Sequence, residues 1–199
     1  MINYTNSAGI PEVLVQWLME DKYDGYSSNP NSYSATGLIM SHKKSILSNA
    51  VRASMDIQVD VDVLTLMASK RGTAVHDSIE LFISQNQDDM PHVKAEERHY
   101  RTIHVDGVEC TVSAKFDCIV GDEIYDWKNC SVYVHTDAKK HREWIEQLSI
   151  NRWVLQHKHA LKPIGTIVAF FNQFSQEQAD KNAPFNYPSF SVQPYNFEL

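Results

Sequence analysis

The stretch Ala114-Lys115-Phe116-Asp117-Cys118-Ile119-Val120-Gly121-Asp122-Glu123-Ile124-Tyr125-Asp126-Trp127-Lys128 reads as two β-strands around a two-residue turn. With Gly121-Asp122 as the loop, Val120 faces Glu123, Ile119 faces Ile124, Cys118 faces Tyr125 and Asp117 faces Asp126. Directly opposed side chains share one sheet face, with Cβ atoms about 5 Å apart. Lys128, two residues beyond Asp126, joins that face. Two opposed carboxylates repel unless a positive charge offsets them. A divalent cation does so, because Mg2+ and Mn2+ prefer carboxylate, water and phosphate oxygens. Lys128 beside it is a fixed positive charge that can orient or help deprotonate a water, or stabilise charge on a phosphate. The alternative is a solvated, charged hairpin face. Apolar Phe116, Ile119, Ile124 and Trp127 argue instead for central strands.

Before this hairpin, residues 92–105 alternate, and Asp106-Gly107 joins them to residues 108–120, so residues 92–130 read as an antiparallel meander. Residues 11–21, 34–52 and 61–85 read as helices, the last with a break near Gly72. A further helix over 137–159 is stopped by Pro163, and Ile164 to Phe171 reads as a buried strand. The fold class expected is mixed α/β (α+β), a central mixed sheet with an antiparallel meander flanked by helices. Three regions follow: 1–60, a helical segment packing on the core; 61–172, the core; and 173–199, a polar, Pro-containing tail whose end is compatible with a strand.

The chain has 199 residues, 43% hydrophobic and 22% charged, which excludes wholly disordered, collagen-like and coiled-coil classes. The apolar runs are too short to cross a bilayer, and the first residues lack a signal-peptide layout, so a cytoplasmic protein with no membrane partner is expected. Three cysteines, Cys110, Cys118 and Cys130, with no Cys-x-x-Cys, fit reduced thiols. A net charge of −7 argues against a nucleic-acid coat protein but not against an enzyme with one local groove.

His76 and Glu80, four residues apart, share a helix face beside Val75, Ile79 and Phe82. A lone histidine there is usually structural; beside an acidic site it is a candidate ligand. His157-Lys158-His159 and His135 with His141 lack the spacing of a zinc motif. Three basic groups are candidate phosphate contacts: Lys43, Lys44 and Arg52; Lys70 and Arg71; Lys139, Lys140 and Arg142. Tyr33 and Trp144 are candidates for stacking on a base.

Gly72-x-x-x-His76-x-x-x-Glu80, Ala114-x-x-Asp117, Asp126-Trp127-Lys128 and Gln147-x-x-x-Asn151, in that order, resemble the PD-(D/E)XK nuclease superfamily, in its RecB-like and phage exonuclease branch. The likeness spans about residues 64–171; Ala114 stands where the family has glycine and Asn151 where it has tyrosine. The resemblance implies a restriction-endonuclease-like core. It makes His76, Asp117, Asp126 and the Trp127 carbonyl the ligands of Mg2+ or Mn2+, Lys128 the catalytic lysine, and Glu80 and Gln147 supporting residues. No iron–sulfur cluster is expected, since the three cysteines do not have the cluster-bearing relatives' spacing. The function implied is a phage-type exonuclease on duplex DNA ends, in recombination or DNA degradation, in the host cytoplasm if phage-encoded. A single-strand annealing or recombination protein would be its partner. A structure-selective or nicking endonuclease, or an inactive DNA- or protein-binding module, is the alternative.

Overall fold

A computed structural model of the chain describes residues 2–21, 27, 29–41, 43–44, 46–47, 59–181 and 187–199. In chain order its elements are β1 (Ile2–Thr5), α1 (Glu12–Met19), β2 (Ser32–Ser34), α2 (Ala35–Ile39), β3 (Val59–Asp62), a 3-10 turn (Val63–Leu66) and α3 (Met67–Gln85). Then come β4 (Val93–Val105), β5 (Val108–Val120), β6 (Glu123–Cys130), a second 3-10 turn (Val132–Thr136), α4 (Ala138–Leu155), β7 (Ile164–Phe171), α5 (Gln176–Asp180) and β8 (Val192–Glu198).

Asp106 (φ 50°) and Gly107 (φ 81°) both adopt the left-handed backbone that a type I′ hairpin turn requires. They join β4 to β5 in one register from Val105–Val108 to Val93–Val120. Gly121 (φ 62°) opens the second turn, and the expected pairs Val120–Glu123, Ile119–Ile124 and Cys118–Tyr125 form. β6 then runs parallel to β7, with Asp126 beside Ile167 and Lys128 beside Ala169, and β7 pairs antiparallel with β8. The main sheet is mixed, in the order β2-β5-β6-β7-β8, with β4 also on β5.

The chain between β6 and β7 returns as α4, capped by Asp137, whose side chain accepts from the backbone N–H of Lys139 and Lys140. Trp144, Leu148 and Leu155 of α4 pack with Phe116, Ile119, Ile124, Ile167 and Ala169 of the sheet to form the main core. A Cβ at Gly165 would stand 2.8 Å from a Leu199 methyl and 3.2 Å from methyls of Ile124 and Leu148, so a side chain there would have to push these neighbours aside. On the other side, Ile83 and Ile79 of α3 pack with Val93, Cys118 and Trp127.

Several expectations are revised. The helix expected over 34–52 is α2 followed by extended Met40, with Lys43, Lys44, Ile46 and Leu47 helical again. The helix expected from 61 begins as β3, where Val59-Asp60-Val61-Asp62 pairs in parallel with β1, and α3 passes Gly72 unbroken. The N-terminal region is therefore not purely helical: it contributes β1, β3 and also β2, which lies parallel to β5. The strand with which the end of segment 173–199 is compatible does form: β8 pairs with β7, and Tyr195, Phe197 and Leu199 pack on the core. Among the described residues, no helix is long and apolar enough to cross a membrane.

Candidate functional site

One edge of β5 is zipped to β4 along almost its whole length; the other is shared. β2 takes residues 111–113 and β6 takes 118–120, so among the described residues no strand pairs with 114–117 on that side. Side chains serve the backbone there. Asp117 Oδ2 accepts from the Trp127 N–H at 2.6 Å, and Asn151 Nδ2 donates to the Lys115 carbonyl at 3.5 Å. The ribbon also turns over at this point. Val112 and Ala114 pack with Val154 of α4, and Phe116 joins the core that α4 fills, whereas Cys118, of the same parity, packs with Ile83 of α3. Asp117 thus stands where the two strands part, between α3 and α4.

The ladder pairing expected for Asp117 and Asp126 does not form, because β6 leaves β5 after Cys118–Tyr125 and follows β7. The two carboxylates nevertheless line one cleft of about 650 Å3, together with His76, Lys128, Gln147 and Asn151. From α3, His76 Nδ1 lies 3.2 Å from Asp117 Oδ1 and His76 Nε2 lies 2.9 Å from the Trp127 carbonyl oxygen. From α4, Gln147 Nε2 donates to Asp126 Oδ1 at 3.2 Å. Lys128 Nζ is 2.5 Å from Asp126 Oδ2.

Asp126 is 2% exposed. Burial, with the Asp117 charge, pushes its carboxyl up to about 6 against the opposing pull of Lys128. Burial draws the Lys128 pKa down, but the charges of Asp126 and Asp117 outweigh it and hold the ammonium above its ordinary value. His76 behaves likewise: burial lowers its pKa, while its hydrogen bond and charge interaction with Asp117 leave it net raised.

Glu96, not singled out from the sequence, belongs here. The pairs Ala95–Cys118 and Glu97–Phe116 put it across from Asp117. One ligand atom from each of His76, Glu96 and Asp117 lies within 4.8 Å of the others; among the described residues this is the one such group of three metal-competent side chains. The Lys115 ammonium is ion-paired with Glu96. The Asp106-Gly107 turn was the available signal, since counting back from Val105–Val108 gives Glu96 opposite Asp117.

Other expected residues are distributed unevenly. Glu80 is exposed and outside the cleft lining, as is Arg71. Lys70 lines the cleft, but its ammonium donates to the Glu20 carbonyl and lies 5.9 Å from the Trp17 ring centre, tying α1 to α3. Lys140 pairs with Glu143 at 2.7 Å and Arg142 with Glu146 at 3.1 Å, and neither they nor Lys139 line the cleft. Lys43 and Lys44 are exposed, also outside the lining, and Arg52 falls outside the described residues. Trp144 is no stacking platform: it is 2% exposed, within the core. His135 bonds the Tyr195 hydroxyl at 2.6 Å and His141 stacks on Trp144, both part of the packing around β8. Ala114 turns its methyl into the core with Val112 and Val154. Asn151 is fully buried and holds the open edge of β5.

Six carboxylates (Glu20, Asp21, Asp77, Glu96, Asp117, Asp126) and four cationic side chains (Lys70, Arg98, Lys115, Lys128) line the cleft. With all ionised, the lining carries −2, which one divalent cation balances. Carboxylate oxygens with one imidazole are a donor set that could hold a divalent metal ion.

No family model and no curated protein matches the chain. Among solved structures it is similar to the crystal structure of SSO0001, with a TM-score of 0.62 and 13% identity, over 96% of this chain and 78% of that one. At that identity the likeness is one of fold, and the fold is a mixed α/β sheet flanked by helices.

Proposed function

We propose that the chain is a divalent-metal-dependent deoxyribonuclease with a PD-(D/E)XK-type core, acting as an exonuclease on duplex DNA ends. The observation that carries this reading is the convergence of His76, Asp117, Asp126, Lys128 and Gln147 on one cleft from α3, β5, β6 and α4, with the Trp127 carbonyl against His76. A role in recombination or DNA degradation, a single-strand annealing partner and a host-cytoplasmic setting belong to the same proposal.

His76, Asp117, Asp126 and the Trp127 carbonyl would hold Mg2+ or Mn2+. Bound there, the ion supplies a Lewis acid and a bound water of lowered pKa. Asp126, buried and pushed up to about 6, is a carboxylate whose charge is poorly compensated by Lys128 alone. Gln147 fixes its orientation through Oδ1. Lys128, paired with Asp126, is a positive charge at the cleft that would orient or help deprotonate a water, or stabilise charge developing on a phosphate. Asp117 is held from two sides, by His76 and by the Trp127 N–H, so its carboxylate is preorganised at the opening between strands.

The test is incubation with linear and circular duplex DNA in Mg2+, Mn2+ or EDTA. Loss of linear DNA alone, abolished by EDTA, is expected. Cleavage of circles as well would indicate an endonuclease. No metal-dependent cleavage by the folded protein would reduce the chain to a binding module.

A further inference from the structure

We propose that Glu96 is a ligand of the same divalent cation and that Lys115 is the internal counter-ion the cation displaces. The inference rests on the metal-site reading above and goes beyond its motif residues. Three observations carry it. The first is register: the β4–β5 ladder runs from Val105–Val108 to Val93–Val120 in one phase and skips Glu96–Asp117, with Ala95–Cys118 and Glu97–Phe116 paired on either side. Glu96 thus stands across β5 from Asp117, on the edge opposite to that from which β6 departs. The second is distance: ligand atoms of His76, Glu96 and Asp117 all lie within 4.8 Å of one another, and His76 Nδ1 to Asp117 Oδ1 is 3.2 Å. Neighbouring ligands of an octahedral ion bound at about 2.1 Å are roughly 3 Å apart, so small side-chain adjustments close the set around an ion. The third is charge. Both carboxylates flanking Asp117 carry a lysine: Asp126 has Lys128, and Glu96 has Lys115. The two lysines differ in place. Lys128 follows Asp126 on the same strand, whereas Lys115, a neighbour of Asp117 on β5, reaches across to Glu96 on β4; both side chains are half-buried, 25% and 36% exposed. Lys115 is the one whose partner, Glu96, shares the three-residue group with His76 and Asp117, so a cation bound there displaces its flexible ammonium. Once displaced, it remains at the cleft wall, facing the substrate's phosphates.

Isothermal titration of Mn2+ into the full chain tests this. Glu96→Gln is expected to weaken Mn2+ binding about tenfold, with Glu96→Asp retaining part of the affinity. Lys115→Met is expected to tighten it, because a competitor is removed. Asp117→Asn is the control and should lose binding. If Asp117→Asn loses binding while Glu96→Gln binds as the wild type, the inference fails and the nuclease reading stands. If Lys115→Met binds Mn2+ no tighter than wild type, the displacement fails. If the wild type binds no Mn2+, both readings fail. A purely structural Glu96–Lys115 pair would shift the melting temperature of both variants and leave their Mn2+ affinities unchanged.

Discussion

β5 takes part in two hairpins that behave differently. Its hairpin with β4, turned by Asp106-Gly107, stays in register to the far end, from Val105–Val108 to Val93–Val120. Its hairpin with β6, turned by Gly121-Asp122, holds three pairs and then lets go. The difference lies in what each partner finds beyond the turn. Among the described residues β4 pairs with no other strand, whereas β6 is met by β7, which pairs with it in parallel from Ile124–Gly165 to Cys130–Phe171. The second hairpin gives up its ladder to enter the centre of the sheet, and the gap is filled by chemistry. Asp117 and Asn151 hydrogen-bond backbone groups there, Gln147 holds the Asp126 carboxylate, and the carboxylates gather beside them. The unbroken hairpin holds the frame and presents Glu96 to the cleft; the broken one opens the gap in which Asp117 and Asp126 stand.

Removing what occupies the gap should have the largest effect. Lys128→Ala should lower the single-turnover cleavage rate of linear duplex by about 10²–10⁴-fold with the fold intact by circular dichroism. A drop of less than tenfold would make the gap a structural defect. Proton linkage comes next. Asp126 has a raised carboxyl pKa, so its stability contribution is present when protonated and is lost as pH rises from about 4 through about 6. His76, also raised, adds to stability at low pH and loses that contribution as pH rises through its folded pKa. Mn2+ competes with both protons. The rise in melting temperature on adding Mn2+ should therefore be large at pH 7.5 and small at pH 5; an equal rise at both would separate the ion from these groups.

The sheet behind the gap comes third. Gly165→Ala forces a methyl against Leu199, Ile124 and Leu148, and should cost about 1–3 kcal/mol in urea denaturation. Asn151→Ala removes the donor to the Lys115 carbonyl and should cost about 1 kcal/mol, with a larger proportional loss of activity. The smallest effect belongs to the basic group on α4. Replacing Lys139, Lys140 and Arg142 together with alanine should change affinity for a short duplex less than Arg98→Ala does, because only Arg98 lines the cleft.

Much of this was legible in the sequence, and the limits have physical causes. Each turn carries its own signal, so the register of both hairpins can be counted from Asp106-Gly107 and Gly121-Asp122. Glu96 follows from the first count as directly as Asp126 follows from the second, yet acidic residues in an alternating strand look like its solvated face. The splitting of β5 from β6 was not legible. It depends on a strand some forty residues further on, and parallel pairing leaves no turn to count from. β1 and β2 escaped because four and three residues, mostly polar, give no periodicity. Charge alone placed Lys70 among phosphate contacts; only the packing of α1 against α3 shows its ammonium on the Glu20 carbonyl.

The most direct test of the site at the strand gap is anomalous scattering from a crystal of the protein grown with Mn2+. The account predicts a peak in contact with Asp117 and His76. Ordered crystals soaked at saturating Mn2+ that show no peak beside Asp117, or show one only elsewhere on the molecule, would contradict it.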